Sequence, residues 1–232
     1  AYICKNEDVK IDTKVDVKKN IDLQINKSIK ALKIKKINIL YMHNTHNKVY
    51  KNISVLKELK KLKMEGKIKK IGLTIDNKEQ FIESTKNYLN YLDVMQVPVN
   101  FFDQRWGINN IDKIKKKKIE IYARSIYLQG LLTESHDKWI KVLGSKKKDI
   151  LDRINICVNK LGRLNLNDLS ISFVKSLRYV DKYIIGVNSL SHLTENFFYF
   201  KEKPLTIDQQ KYLLENFKNL PNKIIQPSKW KI

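Results

Sequence analysis

Six positions with chemical potential stand at the ends of short β-branched runs: Lys14 after Ile11-Asp12-Thr13, His43 after Leu40-Tyr41-Met42, Thr74 after Gly72-Leu73, Gln96 within Met95-Gln96-Val97-Pro98, Ser125 after Ala123-Arg124, and Gly186 after Ile184-Ile185. If those runs are parallel strands with helices between them, reactive groups gather at the strands' C-terminal ends, and the six form a polar ring. Beyond the last of them, Gly186 lets a ligand approach the backbone. Asn188 and Ser189 can cap the helix that follows, whose free N–H groups suit a phosphate. Cys4 and Cys157 lie far apart with no CxxC partner, so neither a zinc site nor a disulfide framework is indicated.

The elements that must hold this ring alternate between short strands and longer amphipathic helices with little sign of a linker, which is an α/β pattern. Strands are expected over Val9–Val15, Ile37–His43, Ile68–Thr74, Val94–Val97, Ile119–Ser125 and Tyr183–Gly186. Between them fall helices carrying Ile21, Ile25, Ile29 and Leu32, then Val55, Leu56, Leu59 and Leu62 with a stop at Gly66, then Lys78–Leu89 and Ile111–Lys117. Two more helices are expected over 147–161 and 167–178, another from Leu190 into Phe197-Phe198-Tyr199-Phe200, and a terminal one through Leu213, Leu214 and Phe217. Trp230 is expected to pack the tail down through its indole. Six βα units suit either a doubly wound sheet or part of a (β/α)8 barrel. No GxGxxG follows the first strand, and seven glycines are too few for a glycine-rich nucleotide fold, so the barrel is preferred.

The length of 232 residues, with 42% hydrophobic and 30% charged, suits one domain over 1–232. No apolar run approaches the roughly 18 residues of a membrane span, and the first residues lack a basic region followed by an apolar one, so a membrane or secretory role is not expected. A reducing cytoplasm is the expected compartment. The net charge of +22 comes mostly from lysines spread along the whole chain, as at Lys115–Lys118 and Lys146–Lys148. Arginine, the better phosphate fork and base reader, is rare, so no specific nucleic-acid partner is expected. Arg105 and Arg124 are read as structural ion-pairing residues, while Asp76 and Asp103 have no partner evident in the sequence.

From about residue 9 onward the succession resembles the aldo-keto reductases, which reduce carbonyls with a nicotinamide cofactor inside a (β/α)8 barrel. The segments that carry the likeness are Lys10-Ile11-Asp12-Thr13-Lys14, Ile39-Leu40-Tyr41-Met42-His43-Asn44, Gly66 to Thr74, Gln96-Val97-Pro98-Val99-Asn100, Ala123 to Leu132, Ile184 to Ser189, and His192-Leu193-Thr194-Glu195-Asn196. The stretch Asn100 to Trp106 and the tail ending in Trp230 look most like a bacterial branch found near surface-sugar biosynthesis.

The resemblance implies a catalytic tetrad of Asp, Tyr, Lys and His, of which Lys14 and His43 match two. A lysine ammonium beside a phenol lowers its pKa and polarises the O–H, and a neutral imidazole can orient a carbonyl. The Asp-Thr-Ala…Tyr-Gly motif of the family is not reproduced before Lys14. Tyr2 is the candidate acid, but Ile3 replaces the expected glycine, and the twelve residues from Tyr2 to Lys14 leave little room for a crossover helix. Six strands also cannot close an eight-stranded barrel, so the sequence reads as a barrel of this type lacking its first two βα units. For the cofactor, the resemblance places Thr74 and Gln96 at the nicotinamide carboxamide, Ser125 at the pyrophosphate, and Gly186, Asn188, Ser189, His192, Glu195 and Asn196 at the adenosine end. His192 stands where many relatives carry Arg or Lys. NADP(H) is expected over NAD(H), with a small carbonyl substrate; a degenerate barrel that keeps only nucleotide binding is the alternative.

Overall fold

The computed structural model describes residues 2–3, 17–43, 49–106, 108–133 and 139–230. By contact the chain falls into two compact units, Ala1–Val97 with Ile108–Ile121, and Pro98–Gly107 with Tyr122–Ile232.

The first unit contains β1 (Tyr2–Ile3), α1 (Val17–Leu32), β2 (Ile37–Met42), α2 (Ile53–Met64), β3 (Ile68–Thr74), α3 (Lys78–Asn87), most of β4 (Val94–Pro98), α4 (Ile108–Lys116) and the start of β5 (Glu120–Arg124). Strands β1 to β4 pair in parallel with their neighbours in sequence, with Tyr2 opposite Tyr41, Met42 opposite Leu73, and Thr74 opposite Gln96. Their apolar side chains are buried as in strands covered on both faces, Ile37, Leu40, Ile68, Ile71, Leu73 and Val94 among them. The helices bury one stripe each: Ile21 and Ile25 in α1, then Val55, Leu56, Leu59 and Leu62 in α2. Asn52 caps α2 by accepting from the N–H groups of Ser54 and Val55, and Asn77 caps α3 through that of Gln80. After α2 the chain turns at Gly66 in the left-handed region, φ +77°. Gly72 is glycine for a different reason, since a Cβ there would collide with the Tyr41 ring. Asp93 ties α2 to β3, accepting from Lys63 Nζ at 2.6 Å and from the Ile71 N–H at 2.9 Å.

The second unit holds the end of β5, α5 (Trp139–Leu143), α6 (Lys147–Lys160), α7 (Leu166–Ser176), β6 (Lys182–Tyr183), α8 (Leu190–Lys201), α9 (Ile207–Asn216) and α10 (Asn222–Ile225). Strands β5 and β6 pair in parallel, Tyr122 opposite Lys182 and Ala123 opposite Tyr183. The core includes a cluster of Phe101, Phe102, Phe173 and Phe217 with ring centroids 5.0–6.1 Å apart. Beside it the buried Asp103 carboxylate accepts from Arg105 Nε at 2.7 Å and from its second guanidinium nitrogen at 2.6 Å. That supplies the partner missing from the sequence reading and confirms Arg105 as an ion-pairing residue. The tail is fastened as expected, Trp230 Nε1 donating to the Ile224 carbonyl at 3.1 Å.

The alternation of elements matches the sequence reading closely, with differences at the two ends of the strand series and in two short helices. The strand expected at Val9–Val15 lies outside the described residues, and the first strand seen is Tyr2–Ile3. The last strand covers only Lys182–Tyr183 rather than Tyr183–Gly186, because after the Ile184 N–H bonds the Ala123 carbonyl the chain leaves the ladder toward the cap of α8. Helices α5, whose Trp139 is fully buried, and α10 were not anticipated.

Candidate dinucleotide site

In the first unit, Thr74 and Gln96 are register partners at the ends of β3 and β4, and both are buried. The Thr74 hydroxyl donates to the Met42 carbonyl at 3.3 Å, the Thr74 carbonyl accepts from Gln80 Nε2 at 2.9 Å, and the Gln96 carbonyl accepts from the Ile75 N–H at 2.8 Å. These bonds knit the strand ends together. His43 follows β2 and is exposed. Lys14 lies outside the described residues, as do His46 and His136, and Tyr2 is described only through its backbone pairing with Tyr41.

The second unit brings most of the remaining candidates to one place. A cavity of about 700 Å³ is lined by Ser125, Gly186, Asn188, His192, Glu195 and Asn196, all singled out from sequence. Ile126, Tyr127, Gln129, Gly130, Thr133, Asn167, Ile184, Ile185 and Ser191, which were not, also line it. Ser189, the seventh candidate of this unit, caps α8, its hydroxyl accepting from the His192 N–H at 3.2 Å and lying 2.8 Å from that of Ser191.

Two local structures build the cavity wall. One is the turn after β5, where Ser125, Leu128 and Gln129 all adopt positive φ, at 57°, 45° and 52°. Side chains avoid that region, and such strain persists only where the surroundings impose it. Here the Ser125 carbonyl accepts from the Leu128 N–H at 2.9 Å and from Asn100 Nδ2 at 3.1 Å. The Ser125 hydroxyl accepts from Arg124 at 3.2 Å, and the Tyr127 carbonyl accepts from the N–H groups of Gly130 and Leu132.

The other is the start of α8. The first-turn N–H groups of a helix have no acceptor inside it and carry its positive end. Ser191 and His192 of that turn line the cavity. Between the two, Tyr127 donates to Asn196 Oδ1 at 2.5 Å, joining the turn to the second turn of α8. Burial, reinforced by the fields of Tyr199, Glu195 and Asp168, pushes the Tyr127 phenol well above its usual pKa, so it stays a neutral donor.

Helix N-terminus, hydroxyls, amides and a turn of fixed backbone are the donor set that a pyrophosphate and a ribose require. Gly186 also lines the cavity, and it is exposed, with nothing within 4 Å of where a Cβ would stand. The residues present fit the pyrophosphate and ribose of a dinucleotide.

Comparison with known proteins decides the family. The aldo/keto reductase family model matches residues 3–215. The chain belongs to the aldo/keto reductase family. Solved structures agree on the fold of this aldo/keto reductase. It resembles aldo-keto reductase AKR11C1 from Bacillus halodurans in its apo form, with 16% identity, TM-score 0.70, and coverage of 88% of this chain and 71% of that one. The holo form of the same protein gives 16% identity, TM-score 0.71, and coverage of 91% and 72%. None of the curated proteins matches.

The expected fold class, α/β of the aldo-keto reductase barrel type with a parallel sheet, is therefore the one found. Aldo-keto reductases bind nicotinamide cofactors, and membership places this chain in general terms among NAD(P)-dependent carbonyl oxidoreductases. Among the described residues no helix is long and apolar enough to cross a membrane.

Proposed function

We propose that residues 1–232 work as a single cytoplasmic aldo/keto reductase domain that reduces a small carbonyl compound, an aldehyde, ketone or sugar derivative. The observation that carries the reading is the cavity of the second unit, which gathers six of the candidate cofactor residues onto one helix start and one strained turn. When bound, the dinucleotide would supply a hydride from its reduced nicotinamide ring. The chain's own part is to hold and orient. The α8 start and Ser189 set the phosphates, Ser125 positions the pyrophosphate, and Tyr127 fixes the Asn196 amide against the adenosine. Thr74 and Gln96 are assigned to the carboxamide end. Lys14 and His43 are assigned to catalysis, the ammonium favouring proton release from a phenol and the imidazole orienting the carbonyl, with Tyr2 as the acid.

Titrating the protein with reduced nicotinamide dinucleotides, reading the quench of their fluorescence, and then adding carbonyl compounds tests this. Binding followed by carbonyl-dependent oxidation that Lys14→Met abolishes supports the enzyme. Binding without oxidation points to the degenerate alternative, and no binding refutes both. The resemblance favours NADP(H) as the partner.

A further inference from the structure

We infer that one rim of the first unit docks on an anionic lipid surface. Its lysines are dispersed in sequence and gathered in space. Where parallel strands alternate with helices, each helix end and the strand start that follows it share one rim. Residues 30–36, 60–70 and 113–120 cover the ends of α1, α2 and α4 and the approaches to β2, β3 and β5. Together they hold fifteen lysines, two glutamates and no arginine, so about a tenth of the chain carries about a third of its 46 Lys and Arg. Backbone bonds set these segments in a row. The Ile37 N–H donates to the Lys67 carbonyl at 3.0 Å, the Asp93 N–H to that of Ile71 at 2.8 Å, and the Glu120 N–H to that of Asp93 at 2.9 Å.

Glu65, Asp93 and Glu120, which stand among the lysines, are already engaged. Glu65 pairs with Lys67 at 3.2 Å, while Asp93 with Lys63 and Glu120 with Lys70 each pair at 2.6 Å. A surplus of exposed cations is left, at Lys33, Lys35, Lys36, Lys69, Lys117 and Lys118. Lysines in a last helical turn complement the helix dipole, but eight of the fifteen lie beyond the helix ends. Two of those eight, Lys33 and Lys118, occupy left-handed backbone at φ 52° and 57°, where α2 uses Gly66 and where a side chain is disfavoured.

Large apolar side chains stand out among these cations at the same helix ends: Met64 is 82% exposed, Leu32 54% and Ile34 37%. Nucleic-acid phosphates offer such groups nothing, and the rim has no arginine to grip phosphates bidentately or to read bases. A bilayer satisfies both features. Ammonium groups on flexible stems meet anionic headgroups, and the apolar tips enter the boundary beneath them. Docking of this kind needs no spanning run, whose absence was the ground for expecting no membrane role. Thr74 and Gln96, at the far ends of β3 and β4, then face away from the lipid.

Sedimentation of the whole chain with vesicles tests this. Vesicles of equal parts phosphatidylserine and phosphatidylcholine should carry the protein down at physiological salt, and phosphatidylcholine alone should not. A lysine at an anionic surface strengthens binding about fivefold, so Lys35→Gln, Lys36→Gln and Lys69→Gln together should weaken it about a hundredfold. The same loss of charge in the second unit, by Lys141→Gln, Lys146→Gln and Lys148→Gln, should change it by less than about threefold. All six lysines are exposed, so these variants test charge and not folding. Leu32→Ser with Met64→Ser should abolish the binding that persists at physiological salt and leave retention of duplex DNA at low salt unchanged. Failure to sediment with the anionic vesicles overturns the inference, as do equal losses from the two triple variants, which would trace binding to overall charge. Vesicle binding unmoved by the Leu32 and Met64 changes, or duplex DNA held as tightly as the vesicles at physiological salt, overturns it in favour of a nucleic-acid surface.

Discussion

Replacing Tyr127 by Phe removes a single oxygen from the cavity wall and tests whether the turn after β5 and helix α8 are held together as described. The hydroxyl donates to Asn196 Oδ1 at 2.5 Å, and Asn196 is buried, so its loss strands an amide oxygen. Stranding a buried polar atom costs about 1–3 kcal/mol. A second signature follows from the phenol's raised pKa, caused first by burial and then by the fields of Tyr199, Glu195 and Asp168. A phenol whose folded pKa lies above its ordinary value of 10 contributes stability in full below pH 10. That contribution is lost as pH rises from there toward the folded value, because only the unfolded chain gives up its proton.

By pH 11 the loss from one such tyrosine is about 1.4 kcal/mol. Tyr179, pushed up to about 12 by burial and by Asp103, adds its own loss in native and variant alike. Urea unfolding at pH 8 and pH 11 separates the effects. The Phe variant should be less stable by about 1–3 kcal/mol at pH 8, and should lose about 1.4 kcal/mol less than the native protein between the two pH values. Equal stability at pH 8, or equal alkaline loss, refutes the described role of this hydroxyl.

Three further substitutions probe the frame. Ser189→Ala removes the cap of α8 and should cost about 0.5–2 kcal/mol in thermal or urea unfolding, while weakening binding of inorganic pyrophosphate measured by calorimetry. Arg105→Met leaves the fully buried Asp103 carboxylate without its guanidinium and should destabilise by about 3–5 kcal/mol, whereas adding Asp103→Leu should recover much of that loss in a double-mutant cycle. Gly72→Ala drives a methyl into the Tyr41 ring and should cost about 1–3 kcal/mol, relieved by Tyr41→Leu.

What the sequence shows well is whatever repeats. The apolar stripe of α2 and the continuous buried run of β3 announce themselves by period, and their boundaries fall within a residue or two of expectation. The side chains gathered at the cavity were legible where a motif surrounds them, as with Ser125 in Ala-Arg-Ser-Ile-Tyr and Glu195-Asn196 after the Ser189 cap. Tyr127, Gln129 and Asn167 were not, because a polar residue that lines a cavity leaves no periodic trace. The signal for Tyr127 was its place two residues after Ser125, in a turn tight enough to force both onto one wall.

Ile184 and Ile185 misled for the opposite reason. They read as strand by β-branching, yet Ile184 is 38% exposed and both line the cavity, so their apolar surface serves the site and not the sheet. The pairing of Asp103 with Arg105 two residues away was invisible because it depends on a local turn, marked by the Asp103 N–H donating to Asn100 Oδ1 at 3.0 Å.

Hydrogen exchange of the backbone with and without saturating NADPH reaches the central claim most directly, since it locates the ligand without needing turnover. Slowed exchange should appear in the turn at residues 125–130 and across the start of α8 at residues 186–196, and nowhere else in the second unit to a similar degree. Binding of NADPH with exchange in both segments unchanged would contradict the assignment of the cavity.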